Sequence, residues 1–179
     1  MGLDPLAVRL ADGDPAAPRD LVERHYAELY HYAFAVLRDE RAAEDAVQDT
    51  FERALGALGR YPEERLRAMR LRPWTYRIAL NVARNHLRRR REVPLDEAFA
   101  VSATSENREG VMDVLAALGR LPERQRLAVT LRYLQDLPYA EISGVTGWPE
   151  GTAKTLVRRG LGRLRSMMAA DDPKGGDLA

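Results

Sequence analysis

The run Asp136-Leu-Pro-Tyr-Ala-Glu-Ile-Ser-Gly-Val-Thr-Gly-Trp-Pro-Glu-Gly-Thr-Ala-Lys-Thr-Leu-Val-Arg-Arg-Gly-Leu-Gly-Arg-Leu-Arg165 constrains the fold more tightly than any other stretch. A short helix is predicted to begin near Pro138 and to stop at the Thr146-Gly147 turn. Trp148-Pro149 then opens a second helix, because proline is preorganised for a first helical turn. Small residues stand where two such helices must approach: Ser143 on the first, Gly147 in the turn and Ala153 on the second. At about 100° per residue, Leu156, Val157, Gly160, Leu161, Leu164, Met167 and Met168 gather with Ala153 on one side, which is expected to pack inward. Thr155, Arg158, Arg159 and Ser166 fall opposite with Gly151, flanked by Thr152, Lys154 and Arg165, and these groups suit phosphates and base edges. An ordinary amphipathic helix would show a basic face alone. The turn and the small-residue spacing are separate constraints, and together they read as a DNA-binding helix-turn-helix.

Charge is segregated along the chain. The formal net charge of the 179 residues is only +1, yet Asp39, Glu40, Glu44, Asp45, Asp49 and Glu52 follow one another with Arg41 as the one base among them. That segment should avoid DNA. Arg84, Arg88, Arg89, Arg90 and Arg91 form a run without an acid, a local field able to hold nucleic-acid phosphates. With 45% hydrophobic residues there is enough apolar material for packed cores in one or two modest domains. The absence of cysteine excludes disulfides, thiolate metal sites and thiol catalysis from within this chain. His25, His31 and His86 lack ligand or triad spacing, and no phosphate-cradling glycine loop occurs. No catalytic residue, metal or cofactor is therefore expected. No apolar run approaches membrane-spanning length and the N-terminus lacks a secretory pattern, so the chain is expected to work in the cytoplasm.

Residues 1–19, rich in Asp, Ala, Gly and Pro, are expected to form a mobile arm. Helical spacing begins near Asp20, with Val22, Tyr26, Leu29, Tyr30, Ala33, Val36 and Leu37 recurring until Arg38. Asp39 is positioned as the N-cap of a second helix, lined on one side by Ala43, Ala46, Val47, Thr50, Phe51, Ala54 and Leu58; Asp45, Gln48, Asp49 and Glu52 project from the other. Gly56, Gly59 and Pro62 break the pattern, and Tyr61 to Arg72 is a charged connection. A third long helix is expected from Pro73-Trp74 to about Arg91, with Tyr76, Ala79, Val82, Ala83, His86 and Leu87 inside. Arg77, Asn81, Arg84 and Arg88 stack on another face, bordered by Trp74 and Asn85. Such a stripe can hold a phosphate backbone and read an unstacked base; a solvated face with Trp74 in the core is the alternative. Residues 92–107 read as an acidic, extended linker. Helical pattern returns over residues 108 to 118 and from Pro122 to Leu134. The expected fold is all-α: two small helical domains, residues 20–91 and 108–169, joined by a flexible acidic linker, the second carrying the helix-turn-helix and followed by a tail at 170–179.

Leu29-Tyr-His-Tyr-Ala-Phe-Ala-Val-Leu-Arg-Asp-Glu-Arg-Ala-Ala-Glu-Asp-Ala-Val-Gln-Asp-Thr-Phe-Glu-Arg-Ala-Leu55 and Pro73-Trp-Thr-Tyr-Arg-Ile-Ala-Leu-Asn-Val-Ala-Arg-Asn-His-Leu-Arg-Arg-Arg90 resemble region 2 of extracytoplasmic-function (ECF) sigma factors. Leu121-Pro-Glu-Arg-Gln-Arg126 and Glu150-Gly-Thr-Ala-Lys-Thr155 resemble region 4. The resemblance runs from about Asp20 to Met168. It departs mildly at Thr75, where the family usually carries a larger apolar residue, and at Ala153, where it often carries valine.

The resemblance implies a dissociable initiation subunit of bacterial RNA polymerase, without catalysis of its own. It implies that Asp45, Gln48, Asp49 and Glu52 bind core polymerase at the coiled coil of the β′ clamp, with β as a further contact; a solvated surface is the plainer alternative. It places Asn81 near the flipped base of the −10 element, with Trp74, Arg77, Arg84, Asn85 and Arg88 beside it. It makes Glu150, Gly151, Thr152, Lys154, Thr155, Arg158 and Arg159 candidate contacts in the major groove of the −35 element. The acidic linker would be either an RNA mimic along the path to the active centre or a simple spacer. Many relatives are restrained by an anti-sigma factor, a partner that the resemblance extends to this chain. A stand-alone regulator would use the helix-turn-helix but leaves the acidic face and the arginine stripe without a role.

Overall fold

The structure, a computed structural model, describes residues 2–92, 114 and 116–171. The expected linker beyond Glu92 and the tail beyond Asp171 lie outside the described residues, as do most of residues 108–118. Every regular element among the described residues is helical.

The expected mobile arm is replaced by structure. Pro5–Ala11 is a helix, α1, with Asp4 as N-cap accepting from Leu6 N at 3.1 Å and Pro5 in the first turn. Asp4 also accepts from Leu71 N at 3.1 Å, so one carboxylate ties the chain start to a helix 67 residues away. Leu6, Ala7 and Ala11 pack with Ala17, Leu21, Leu58, Leu66 and Leu71 in a small core of their own. Burial of these side chains is what a mobile arm would forgo.

Helix α2 spans Ala17–Leu37 and ends at Arg38, whose left-handed backbone (φ 58°) sends its N–H back to Phe34 O at 2.8 Å. Asp39 then caps α3, Glu40–Leu58, by accepting from Ala42 N at 2.9 Å. The seven residues expected inside α3 are the seven that are buried. The connection after α3 contains a short helix, α4, Glu63–Arg67. Helix α5, Leu71–Glu92, starts two residues before the expected proline. Thr75 is fully buried there, its hydroxyl donating to Leu71 O at 2.7 Å, so a polar residue fits this apolar position by satisfying itself within the helix.

In the C-terminal part the predicted helix from Pro122 divides into α6, Glu123–Val129, and a π-helical turn, Thr130–Leu134. Gln135 N reaches Thr130 O and Leu137 N reaches Leu131 O, and Asp136 adopts a left-handed conformation (φ 47°) that aspartate tolerates. Helices α7, Tyr139–Thr146, and α8, Glu150–Asp171, form the helix-turn-helix around Gly147 (φ 74°).

The two domains pack against each other. Val129, Leu131, Leu137, Ile142 and Val145 join one continuous core with Leu29, Tyr32, Val36, Leu37 and Tyr76. Helix α7 packs on α5, and α6 and the π-turn pack on α2.

Candidate polymerase- and DNA-facing surfaces

The acidic face of α3 forms because its opposite side is fixed. Ala43, Ala46, Val47, Thr50, Phe51 and Ala54 are buried, which leaves Asp45, Gln48 and Glu52 exposed at helical spacing. Gln48 Nε2 lies 3.4 Å from Glu52 Oε1. Asp49 differs from its neighbours: it is half-buried, with Oδ2 3.6 Å from His86 Nε2 on α5 and 3.9 Å from Arg53. The face thus carries negative charge outward at two positions, Asp45 and Glu52, and one carboxylate, Asp49, that also joins α3 to α5.

On α5 the inner residues Tyr76, Ala79, Val82 and Ala83 are buried as expected, and Leu80 joins them. His86 and Leu87 are half-buried. Arg77, Asn81, Arg84 and Arg88 are exposed, with Asn85 half-buried beside them. Trp74 splits the two readings: it packs against the small core around α1, edge-to-face with Tyr61 at 6.1 Å, yet stays half-buried. Its ring is an anchored edge of the stripe rather than a free stacking platform.

The helix-turn-helix is held by short polar contacts around the turn. Ser143 Oγ donates to Trp148 O at 2.6 Å, and Thr146 Oγ1 accepts from Trp148 N at 3.2 Å while donating to Ile142 O at 2.6 Å. Arg124 stands over the Trp148 ring at 5.0 Å. Ala153 and Val157 are buried, and Gly160 lets α8 approach α6 so closely that a Cβ there would fall 2.7 Å from Val129 Cγ2. Glu150, Gly151, Lys154, Arg158 and Arg159 are exposed on the outer side, with Thr152 and Thr155 half-buried. Lys154 Nζ lies 5.6 Å from the Tyr139 ring centre and Thr155 Oγ1 donates to Gly151 O at 2.8 Å. Arg158 and Arg159 present guanidinium donors to solvent.

A polar seam between the domains has no counterpart in the sequence reading. Gln135 is 3% exposed; its side-chain carbonyl accepts from the Tyr76 hydroxyl, and its backbone O accepts from Arg72 Nη2 at 2.7 Å. Arg72 Nε also donates to Glu28 Oε2 at 2.9 Å, which lies 3.1 Å from the Tyr76 oxygen. Burial, with Glu28 beside it, pushes the Tyr76 hydroxyl far above the usual tyrosine range, so it remains a donor. Arg126 is buried, donates to Val36 O at 3.2 Å and Gly119 O at 3.3 Å, and has its pKa lowered by desolvation and then by Arg38. Arg38 donates to the same Gly119 O at 3.2 Å. Arg70, just before α5, pairs with Glu141 on α7. None of these partners is adjacent in sequence, so periodicity carries no signal for them.

Residues 21–93 match the model of sigma-70 region 2, and residues 112–164 that of sigma-70 region 4. The sigma factor CarQ of Myxococcus xanthus is 30% identical over 167 residues, covering 89% of this chain and 94% of its own. The ECF sigma factor SigM of Mycobacterium tuberculosis strain H37Rv is 30% identical over 166 residues, covering 91% and 82%. This chain is an ECF sigma factor of the sigma-70 family. CnrH, solved in complex with the cytosolic domain of CnrY, superposes with a TM-score of 0.72 at 27% identity, over 93% of this chain and 97% of that one. As a sigma factor the protein directs RNA polymerase to promoters and initiates transcription; it is an initiation factor, not a catalyst. Among the described residues no helix is long and apolar enough to cross a membrane.

Proposed function

We propose that this sigma factor divides its work among three surfaces. The outward face of α3, with Asp45, Gln48, Asp49 and Glu52, docks on the basic coiled coil of the β′ clamp, and β supplies further contact. Trp74, Arg77, Asn81, Arg84, Asn85 and Arg88 on α5 hold and read the opened −10 element, Asn81 pairing with an extruded base. Glu150, Gly151, Thr152, Lys154, Thr155, Arg158 and Arg159 at the start of α8 meet the −35 element in the major groove. The reading places the factor in the cytoplasm, where polymerase and promoter are, and gives it an anti-sigma factor as a restraining partner; CnrH was solved in complex with a protein partner, the cytosolic domain of CnrY.

The observation that carries this division is the segregation of charge onto separate exposed helix faces. Carboxylates on α3 repel DNA and suit a basic protein partner, while arginines on α5 and α8 attract phosphates. The test is run-off transcription and permanganate footprinting with core polymerase. Asn81→Ala should leave closed-complex formation intact yet impair opening and blur preference at the −10 element, since a lost hydrogen bond to a base removes about 1–3 kcal/mol while phosphate contacts persist. Unchanged thymine reactivity and base preference would reduce α5 to a phosphate clamp. Specific promoter binding by the free protein, unaltered by core polymerase, would favour a stand-alone regulator.

A further inference from the structure

Helix α5 carries the stripe proposed to hold the opened −10 element, yet the segment before it supplies no cap. No Ser, Thr, Asn, Asp or Gly stands between Arg60 and Pro73, so every residue type that caps a helix start well is missing there. Pro73 has no N–H to satisfy, but Leu71, the first helical residue, is fully buried and its N–H needs an acceptor. That acceptor comes from far away in the sequence. Leu71 N donates to Asp4 Oδ2 at 3.1 Å, and Leu6 N donates to Oδ1 of the same carboxylate at 3.1 Å, so one side chain caps α1 and α5 together.

Helix α1 is fixed where it can do this. A seven-residue helix is marginal by itself. Here Arg9 donates to Asp20 on α2 at 2.6 Å, Asp12 accepts from Arg67 on α4 at 2.5 Å, and Leu6, Ala7 and Ala11 are buried with Leu21, Leu66 and Leu71. Trp74, one turn into α5, packs on that same small core and is the anchored edge of the stripe. The start of the DNA-facing helix and its aromatic edge thus share one support.

We propose that Asp4 is a positioning residue for promoter opening. By capping both helices it holds the first turn of α5, and Trp74 with it, in the conformation that meets unstacked DNA. Its carboxylate touches no DNA; it acts through Leu71 N and the α1 support. Without the bond to Leu71 the first turn of α5 frays, Trp74 loosens from the small core, and each encounter with the −10 element must first re-order the helix. This role in opening rests on the function assigned to α5 above; the link from Asp4 to Trp74 does not.

Two conservative substitutions separate positioning from folding. Asn and Ser are both good N-caps, but each offers one acceptor oxygen in place of two. Asp4→Asn and Asp4→Ser should keep α1 capped through Leu6 N, with helicity retained, and leave Leu71 N without its acceptor. The chain has two tryptophans, so in a Trp148→Phe background Trp74 reports alone, and its quenching by acrylamide should rise in both variants of the free protein. Core polymerase binding should be unchanged, while opening followed by permanganate should slow by roughly three- to tenfold, the factor of one lost helix cap. Arg70→Ser places a cap directly before α5 and gives up the pair with Glu141. Measured against Arg70→Ser alone, adding Asp4→Asn should then change neither quenching nor opening. Unchanged quenching in both Asp4 variants overturns the link to Trp74. Raised quenching with normal opening, where Asn81→Ala opens slowly, overturns the positioning role and leaves the −10 reading intact. A loss of polymerase binding as large as the loss of opening, or no relief by Arg70→Ser, also overturns it, because general destabilisation of region 2 gives that pattern. If Asp4→Asn slows opening and Asn81→Ala does not, base reading by Asn81 fails and the positioning role stands.

Discussion

Gly160 and Gly162 lie two residues apart on α8 and should answer the same substitution in opposite ways. A Cβ on Gly160 would meet Val129 Cγ2 at 2.7 Å, and a valine methyl bound to a buried β-branched side chain has little room to yield. Gly160→Ala should destabilise region 4 by about 1–3 kcal/mol through overpacking. Nothing lies within 4 Å of a Cβ on Gly162, which is exposed, so Gly162→Ala should stabilise by about 0.5–1 kcal/mol through helix propensity alone. Urea unfolding of the two variants checks both signs. His25 supplies a pH-dependent counterpart. Burial lowers its pKa, against the opposing pull of Glu28 at 3.8 Å, so the unfolded chain takes up this proton more readily than the folded one. The resulting loss of stability sets in as pH falls below about 6.5 and amounts to at most about 1.4 kcal/mol per pH unit. His25→Gln should flatten the stability profile between pH 7 and 5.5. An unaltered slope would mean that His25 contributes nothing to it.

At the scale of elements, α3 and the two arginine-bearing helices each carry a separable prediction. Glu52→Arg and Asp45→Arg should abolish polymerase binding with little effect on thermal stability, because both side chains are exposed. Asp49→Arg should do both, since it sets a cation beside Arg53 and His86 and loosens the junction of α3 with α5. Co-migration with core polymerase, read beside melting curves, separates these outcomes, and wild-type binding by all three variants would remove this face from the interface. Helices α5 and α8 should fail differently on premelted templates. Arg84→Ala with Arg88→Ala should harm duplex promoters more than bubble templates, where preformed single strands supply part of the melting free energy. Arg159→Ala should weaken −35-dependent recruitment on both. Each lost phosphate contact should lower the salt slope of holoenzyme binding by about one. Equal losses on duplex and bubble DNA would contradict the division between an upstream reader and a melting helix.

For the whole molecule, the shared core has a consequence for unfolding. Leu131, Leu137 and Ile142 of region 4 are fully buried in the same cluster as Tyr32 and Tyr76 of region 2, so neither domain keeps its full core without the other. The intact chain should melt in a single transition, and Gly160→Ala, though on a region 4 helix, should shift all of it. Calorimetry resolving two transitions, with only one moved by Gly160→Ala, would show that the domains unfold independently.

Much of this molecule is legible in local pattern because local physics determines it. The seven buried positions of α3, the Asp39 cap, the Gly147 turn and the outward basic face of α8 all follow from helical period and from what caps and turns require. Those same constraints, with the charge segregated between α3, α5 and α8, carried the resemblance to sigma regions 2 and 4. Helix α1 was also written locally, in Asp4-Pro5 as cap and first turn, but an Asp, Ala, Gly and Pro composition points to a loose arm unless Leu6 has a surface to cover. That surface, Leu58, Leu66 and Leu71, is assembled only by the fold. The same holds for the seam. Gln135 and Arg126 are polar, and a helical period assigns such residues to solvent or leaves them unplaced; Tyr76 is placed inside its helix by the period, but its partner is not. Their burial depends on partners 59 to 90 residues away, brought within hydrogen-bond distance when region 4 settles on α2 and α5. The sequence by itself determined the helices and the charged faces they expose. Only the tertiary structure decided that the two domains close on each other, because a buried hydrogen bond between distant residues exists only once both ends are in place.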